Sequence, residues 1–133
     1  MPFVLGNSVV TGWVIEDQAT DYTEAIAVRL EADCAMVPAL WQLEFANVLK
    51  TACARGKLDI ETARQIVDTV CALPIEIDAD APAPRQLFEL AMRYNLSSYD
   101  AAYLELAMRH GLPIACQDGK LREAAQMAGV TVA

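Results

Sequence analysis

Histidine is nearly absent: His110 is the only one, and it directly precedes Gly111, where a helix end would favour a cationic or polar side chain. Its scarcity and that place at a helix end remove most zinc sites and Ser-His-Asp or Cys-His machinery. Paired cysteines are missing too. Cys34, Cys53, Cys71 and Cys116 are far apart, show no C-x-x-C and sit among Ala, Val, Leu and Ile, so they read as free, buried thiols. Nor is there a basic excess. Ten Lys and Arg against 18 Asp and Glu give a net charge of −8, which argues against nucleic-acid binding through a broad basic face. Any phosphate chemistry would need a metal as bridge. No run approaches the roughly 18 to 20 apolar residues of a membrane span. The N-terminus lacks the basic region and small-residue cleavage site of a signal peptide. The expectation is a cytoplasmic protein with no membrane association.

What is present suits one compact domain over residues 1–133, since 55% of the 133 residues are hydrophobic and can form a real core. Short apolar runs at Phe3 to Leu5, Ala35 to Val37, Ile75 to Ile77, Pro113 to Cys116 and Val130 to Val132 read as strands. Between them, Asp21 to Ala32, Leu40 to Arg55, Ile60 to Ala72, Pro84 to Tyr94, Tyr99 to His110 and Lys120 to Ala128 are helix-compatible. Such alternation predicts an α/β fold, a parallel sheet of about five strands with helices on both faces. Asp78 to Pro84, with its acids and two prolines, reads as a loop rather than a domain linker.

Three acids stand out against apolar surroundings. Glu44 falls on the stripe Trp41, Phe45, Val48 and Ala52, so its carboxylate is aimed at the core side and must be neutralised, bonded, bound to a cation or left at a wet edge. A plain favourable contact with the helix N-terminus explains it equally well. Asp100 heads the stripe Tyr103, Leu104 and Ala107, but Ser97-Ser98-Tyr99-Asp100 also has capping-box spacing. Asp118 follows Ile114-Ala115-Cys116 and could simply cap the last helix; yet it lies just past the carboxyl end of a presumed parallel strand, where open α/β sheets place their ligand crevice. If the three converge, their repulsion requires a hard divalent cation, and oxygen-only ligands select Mg²⁺ or Mn²⁺ over zinc. Such ions polarise phosphoryl oxygens and activate water without histidine.

Residues 3–13 (FVLGNSVVTGW), 38–49 (PALWQLEFANVL) and 96–125 (LSSYDAAYLELAMRHGLPIACQDGKLREAA) together resemble the PIN-domain ribonucleases, in particular the VapC-type toxins of toxin–antitoxin pairs. The likeness runs nearly the full chain and implies a three-layer α/β/α PIN-like domain. Matched one at a time, Glu44, Asp100 and Asp118 correspond to the family's second, third and fourth metal-binding acids; the first corresponds to Gly6. Asn7 and Ser8 fit the polar residues that follow the first acid, so the alignment has not slipped, and no other acid occurs before Glu16.

Asn7 would point elsewhere if the strand continued, because adjacent side chains alternate. Losing a ligand should weaken metal affinity and catalysis by orders of magnitude. An introduced or selected substitution, a natural inactive relative, and a site working with water in place of the carboxylate all remain open.

The resemblance implies an Mg²⁺- or Mn²⁺-dependent endoribonuclease acting on RNA. Asp100 would contact metal directly, Glu44 would bind metal or act as base through a bridging water, and Asp118 would bind a second ion or orient water. It further implies a homodimer and a cognate antitoxin that seats an Arg on the acids. Arg55, Lys57, Lys120 and Arg122 are candidates for RNA phosphates or ordinary solvated helix-end charges, and Trp13, Trp41 and Phe45 for core or partner surface.

The alternative is a catalytically inactive PIN-like module that binds an antitoxin without cleaving RNA. A phosphoacceptor receiver domain is excluded, because Gly6-Asn7 supplies no acid after the first strand and Val130 to Ala133 no lysine.

Overall fold

The computed structural model describes all residues, Met1–Ala133. Four parallel strands, β1 (Phe3–Leu5), β2 (Ala35–Pro38), β3 (Ile75–Asp78) and β4 (Ile114–Ala115), lie in the order β3-β2-β1-β4. Six helices connect them and a seventh follows β4: α1 (Asn7–Val14), α2 (Asp21–Glu31), α3 (Trp41–Ala54), α4 (Ile60–Cys71), α5 (Pro84–Tyr94), α6 (Ser98–His110) and α7 (Gly119–Met127). β1 and β4 are completely buried, as expected of strands covered on both faces.

Strand order and handedness together set the layers. β1, β2 and β3 step one way and β4 returns past β1, so right-handed crossovers put α1 to α4 on one face and α5 and α6 on the other. Packing agrees: α1 meets α2 and α3, α3 meets α4, and α6 meets α5, α7, β1 and β2. The architecture is therefore α/β/α. The strand order reverses between β1 and β4, and the crevice beyond their carboxyl ends is the place where such a sheet presents ligand-binding groups.

Helix ends follow local chemistry. Asp59 caps α4 by accepting from the Thr62 N–H at 2.8 Å, and Pro84 opens α5 at a position where its missing N–H costs nothing. Gly111 stops α6 in the left-handed region at φ 64°, a conformation that favours a residue without Cβ.

The structure refines three expectations. The run Val130 to Val132 forms no strand, only one bridge from Val132 to Ile114, which leaves a sheet of four strands, close to the expected count of about five. β1 keeps its expected bounds, Phe3–Leu5, but α1 begins at Asn7, so the condition under which Asn7 would point elsewhere by strand alternation is not met. Of the four free cysteines only Cys116 is buried; Cys34 and Cys71 are exposed and Cys53 is intermediate, since helix and strand ends leave them at the surface. Trp41 and Phe45 stack at 5.2 Å between ring centroids and belong to the buried core, with Trp13 packed against it.

Candidate metal and active site

Register places the site at the topological switch. Leu5 pairs with Ala115, so Gly6 and Cys116 stand level at the strand ends, and Asp118 follows two residues later. Glu44 lies in the first turn of α3 after β2, and Asp100 in the first turn of α6. The three acids thus arrive at one edge of the sheet from three different elements.

Asp100 carries the clearest signature. Its carboxyl is pushed up to about 6, first by burial, then by the charge of Asp118 and a carboxyl–carboxyl contact, then by Glu44; the Ser97 hydroxyl opposes the shift. Two ionised carboxylates have no hydrogen to share, so one must hold a proton or a cation must intervene. The capping alternatives divide. Asp118 Oδ1 accepts from the Lys120 N–H at 3.0 Å, so that carboxylate caps α7, whereas Ser97 Oγ accepts from the Asp100 N–H at 3.1 Å and the capping box goes no further, the Asp100 carboxylate making no return bond to the Ser97 N–H. For Asp118, capping and carboxyl pairing are compatible, because a carboxylate has lone pairs for both.

Glu44 is engaged separately. The Tyr103 hydroxyl donates to Glu44 Oε1 at 2.7 Å, and burial raises the Glu44 carboxyl while that bond holds it down. The same acid, together with burial, keeps the Tyr103 hydroxyl protonated. Tyr103 is 2% exposed, a core residue by its place on the apolar stripe of α6, yet its hydroxyl reaches the acid site. Its spacing of three from Asp100 on one helix was the available signal.

No three His, Cys, Asp or Glu side chains close into a cage for an ion. The donor set still suits Mg²⁺ or Mn²⁺, because Mg²⁺ is commonly held by one or two carboxylates, with waters and substrate phosphates filling its shell. The Asp100–Asp118 pair supplies such a platform.

Gly6 closes the remaining corner. Its N–H donates to the Ala115 carbonyl at 2.7 Å. A Cβ at Gly6 would stand 2.8 Å from that oxygen and 3.0 Å from Cys116 Cβ, tighter than side chains tolerate. Neighbouring Asn7 opens a helix instead of extending a strand, so alternation does not set its direction, and its Oδ1 is buried without a partner. Ser8 ties this end to the β4 loop: Gln117 donates from its backbone to Ser8 Oγ at 2.9 Å and from its side chain to the Ser8 carbonyl at 3.1 Å.

Among the four candidate cations, Lys57 pairs with Asp17 at 2.8 Å. Arg55 lies eleven residues beyond Glu44 at the far end of α3, roughly 16 Å along the helix axis. Only Lys120 and Arg122, in α7 behind Asp118, remain beside the acids.

A PIN-domain family model matches residues 8–127, beginning two residues past Gly6. The chain belongs to the PIN-domain family. Ribonuclease VapC1 of Mycobacterium tuberculosis, from strains CDC 1551 / Oshkosh and H37Rv, is 30% identical over 115 residues, covering 84% of this chain and 84% of each relative. This PIN domain is accordingly of the VapC type. The crystal structure of PAE2754 from Pyrobaculum aerophilum superposes with a TM-score of 0.69 at 21% identity, covering 93% of this chain and 87% of that one, a likeness of fold alone.

Proposed function

We propose that this VapC-type PIN domain, spanning residues 1–133, is a metal-dependent endoribonuclease toxin whose first ligand is missing at Gly6. The observation that carries the reading is the Asp100–Asp118 pair, pressed together at the switch point where a cation would relieve both charges. Mg²⁺ or Mn²⁺ held there would polarise a phosphodiester oxygen and acidify a bound water. Glu44 fits the role of base: Tyr103 fixes Oε1 and leaves Oε2 free to accept a proton. Asp118, as N-cap, is held in place to receive or orient the same ion or its water.

RNA as substrate and an antitoxin as partner follow from the kinship with a protein named a ribonuclease VapC. A homodimer draws support from α5, where Phe88 and Met92 are 59% and 68% exposed at a spacing of four. No helix is long and apolar enough to cross a membrane; a cytoplasmic site of action is part of the proposed reading.

Gly6 favours a second reading, an inactive module that binds an antitoxin without cutting RNA. Cleavage of RNA with Mg²⁺ or Mn²⁺ by this chain and by Gly6→Asp separates the two. Asp100→Asn in the Gly6→Asp background serves as contamination control. Cleavage by Gly6→Asp that Asp100→Asn abolishes supports a ribonuclease site disarmed at one ligand. Folded proteins that cut nothing would sink the nuclease reading.

A further inference from the structure

Arg122 is held unlike the ion-paired cations of this chain. Arg29, Lys57, Arg64 and Arg109 each have a carboxylate within ion-pair distance, whereas Arg122 is held by neutral groups. Its guanidinium stacks 4.5 Å from the Tyr22 ring centroid, and its Nε–H donates to the Cys116 carbonyl at 2.6 Å. Tyr22 is itself anchored, its hydroxyl donating to the Ala133 carbonyl at 2.8 Å. A guanidinium has five N–H donors, and only one is committed here, so the other four keep both charge and hydrogens for an anion. Stacking and tethering also remove much of the rotamer freedom that binding would otherwise cost.

The position lies on the margin of the acid site. Arg122 reaches the carbonyl two residues before Asp118, and the Cys116 thiol lies within the fields of Arg122, Asp118 and Asp100. The Thr20 hydroxyl donates to Gln117 Oε1 at 2.8 Å and braces the intervening loop.

We propose that Arg122 is a phosphate-binding residue that grips a backbone phosphate of single-stranded RNA beside the Asp100–Asp118 pair. The proposal rests on the ribonuclease reading. It supplies what that reading otherwise lacks: in a chain of net charge −8, a fixed cation that offsets repulsion between the substrate and the acids. An acidic protein segment would meet the same fork, but only a polyanion threaded past the acids needs a cation at this place.

The test is binding of a short, labelled, single-stranded RNA in EDTA, where no metal-dependent cleavage occurs, by the full chain, Arg122→Gln and Arg122→Lys across a salt series. Arg122→Gln is expected to weaken binding about fivefold and to lower the log–log salt slope by about 0.7, the single-strand value for one phosphate contact. Arg122→Lys should keep most of the slope while losing the bidentate geometry and part of the affinity.

Equal affinity and slope for the full chain and Arg122→Gln, or no RNA binding by the full chain, overturns the proposal. Should Arg122→Gln fail to fold, inorganic phosphate is titrated into the unaltered chain while the Arg122 Nε–H resonance is followed. A saturable shift supports the assignment and an unmoved signal overturns it. Arg122-dependent binding without cleavage by Gly6→Asp would sink the ribonuclease reading alone.

Discussion

The two halves of α6 treat buried charge in opposite ways. In the rear half, Glu105 is 3% exposed, yet Arg109 donates to both of its oxygens, at 3.2 Å and 2.9 Å from Nε, and to Asp78 Oδ2 at 2.6 Å. Arg109 also reaches the Asp80 carbonyl at 3.3 Å. That cluster straps the end of β3 to α6. Burial is balanced there by an opposite charge and by hydrogen bonds, the arrangement a purely structural carboxylate needs. In the front half, Asp100 meets Asp118 and feels Glu44, three charges of one sign. One end of the helix is compensated and the other is not. Burial alone therefore does not distinguish the two acids; the presence or lack of a compensating partner does.

The sharpest way to break this contrast is to remove the partner from the compensated end. Arg109→Met should cost about 3 kcal/mol by leaving Glu105 buried and unpaired, measured by urea denaturation. Much of that loss should return in Arg109→Met/Glu105→Gln. A single-variant loss below half a kilocalorie would mean the rear cluster is as loose as the front.

Next in size is Gly6→Asp. The clash with the Ala115 carbonyl predicts a loss of about 2 kcal/mol, because backbone and not a flexible side chain must move. Gly6→Ala should share most of it, separating the steric effect from any gain of metal binding. Melting temperatures of both variants, with and without Mg²⁺, decide the matter.

Tyr103→Phe should cost about 1.5 kcal/mol, since a hydrogen bond to an acid is lost in a buried setting. The Glu44 carboxyl should then rise further, because the one contact holding it down is gone. A carboxyl titration followed by NMR would read the shift directly.

The smallest effect has the opposite sign. With Asp100 raised to about 6, the folded state binds its proton more tightly than the unfolded chain does, so metal-free stability falls as pH rises from the ordinary carboxylate range through about 6. Asp100→Asn should remove that fall and stabilise the metal-free protein at pH 7 by about 1 kcal/mol, after solvent screening of a half-exposed pair. Asp78 shows the reverse sign. Its carboxyl is held low, chiefly by the Arg109 hydrogen bond, so its contribution disappears only on acidification below the ordinary carboxylate range. Melting curves of the unaltered chain and Asp100→Asn in EDTA across this range should converge near pH 4.

Long apolar-periodic helices and the inner strands were legible in the sequence: α5 matches its expected bounds at both ends and α3 differs by one residue at each. The missed element, α1, has no capping side chain, no acid in its first turn and Gly12 inside it, so Val9, Val10 and Thr11 carried no helix signal. Glu44 and Asp100 stood out because polar groups on apolar stripes are conspicuous, and Asp118 because it follows a strand end. The Asp78–Arg109 strap was not, since 31 residues separate its partners and only the fold brings them together. The same holds for Arg122: a list of four cations could not show that one lies on Tyr22 while another is spent on Asp17.

The close approach of Gly6 to β4 makes the order of changes matter. With the Ala115 oxygen occupying the space of a side chain, an aspartate introduced in one step meets a packing obstacle before it meets any chemical reward. A tolerant route would first widen the β1–β4 gap, at no immediate benefit to the site. Position 6 therefore works as a one-way fit: the closely set strands favour glycine there, whatever a carboxylate would bring.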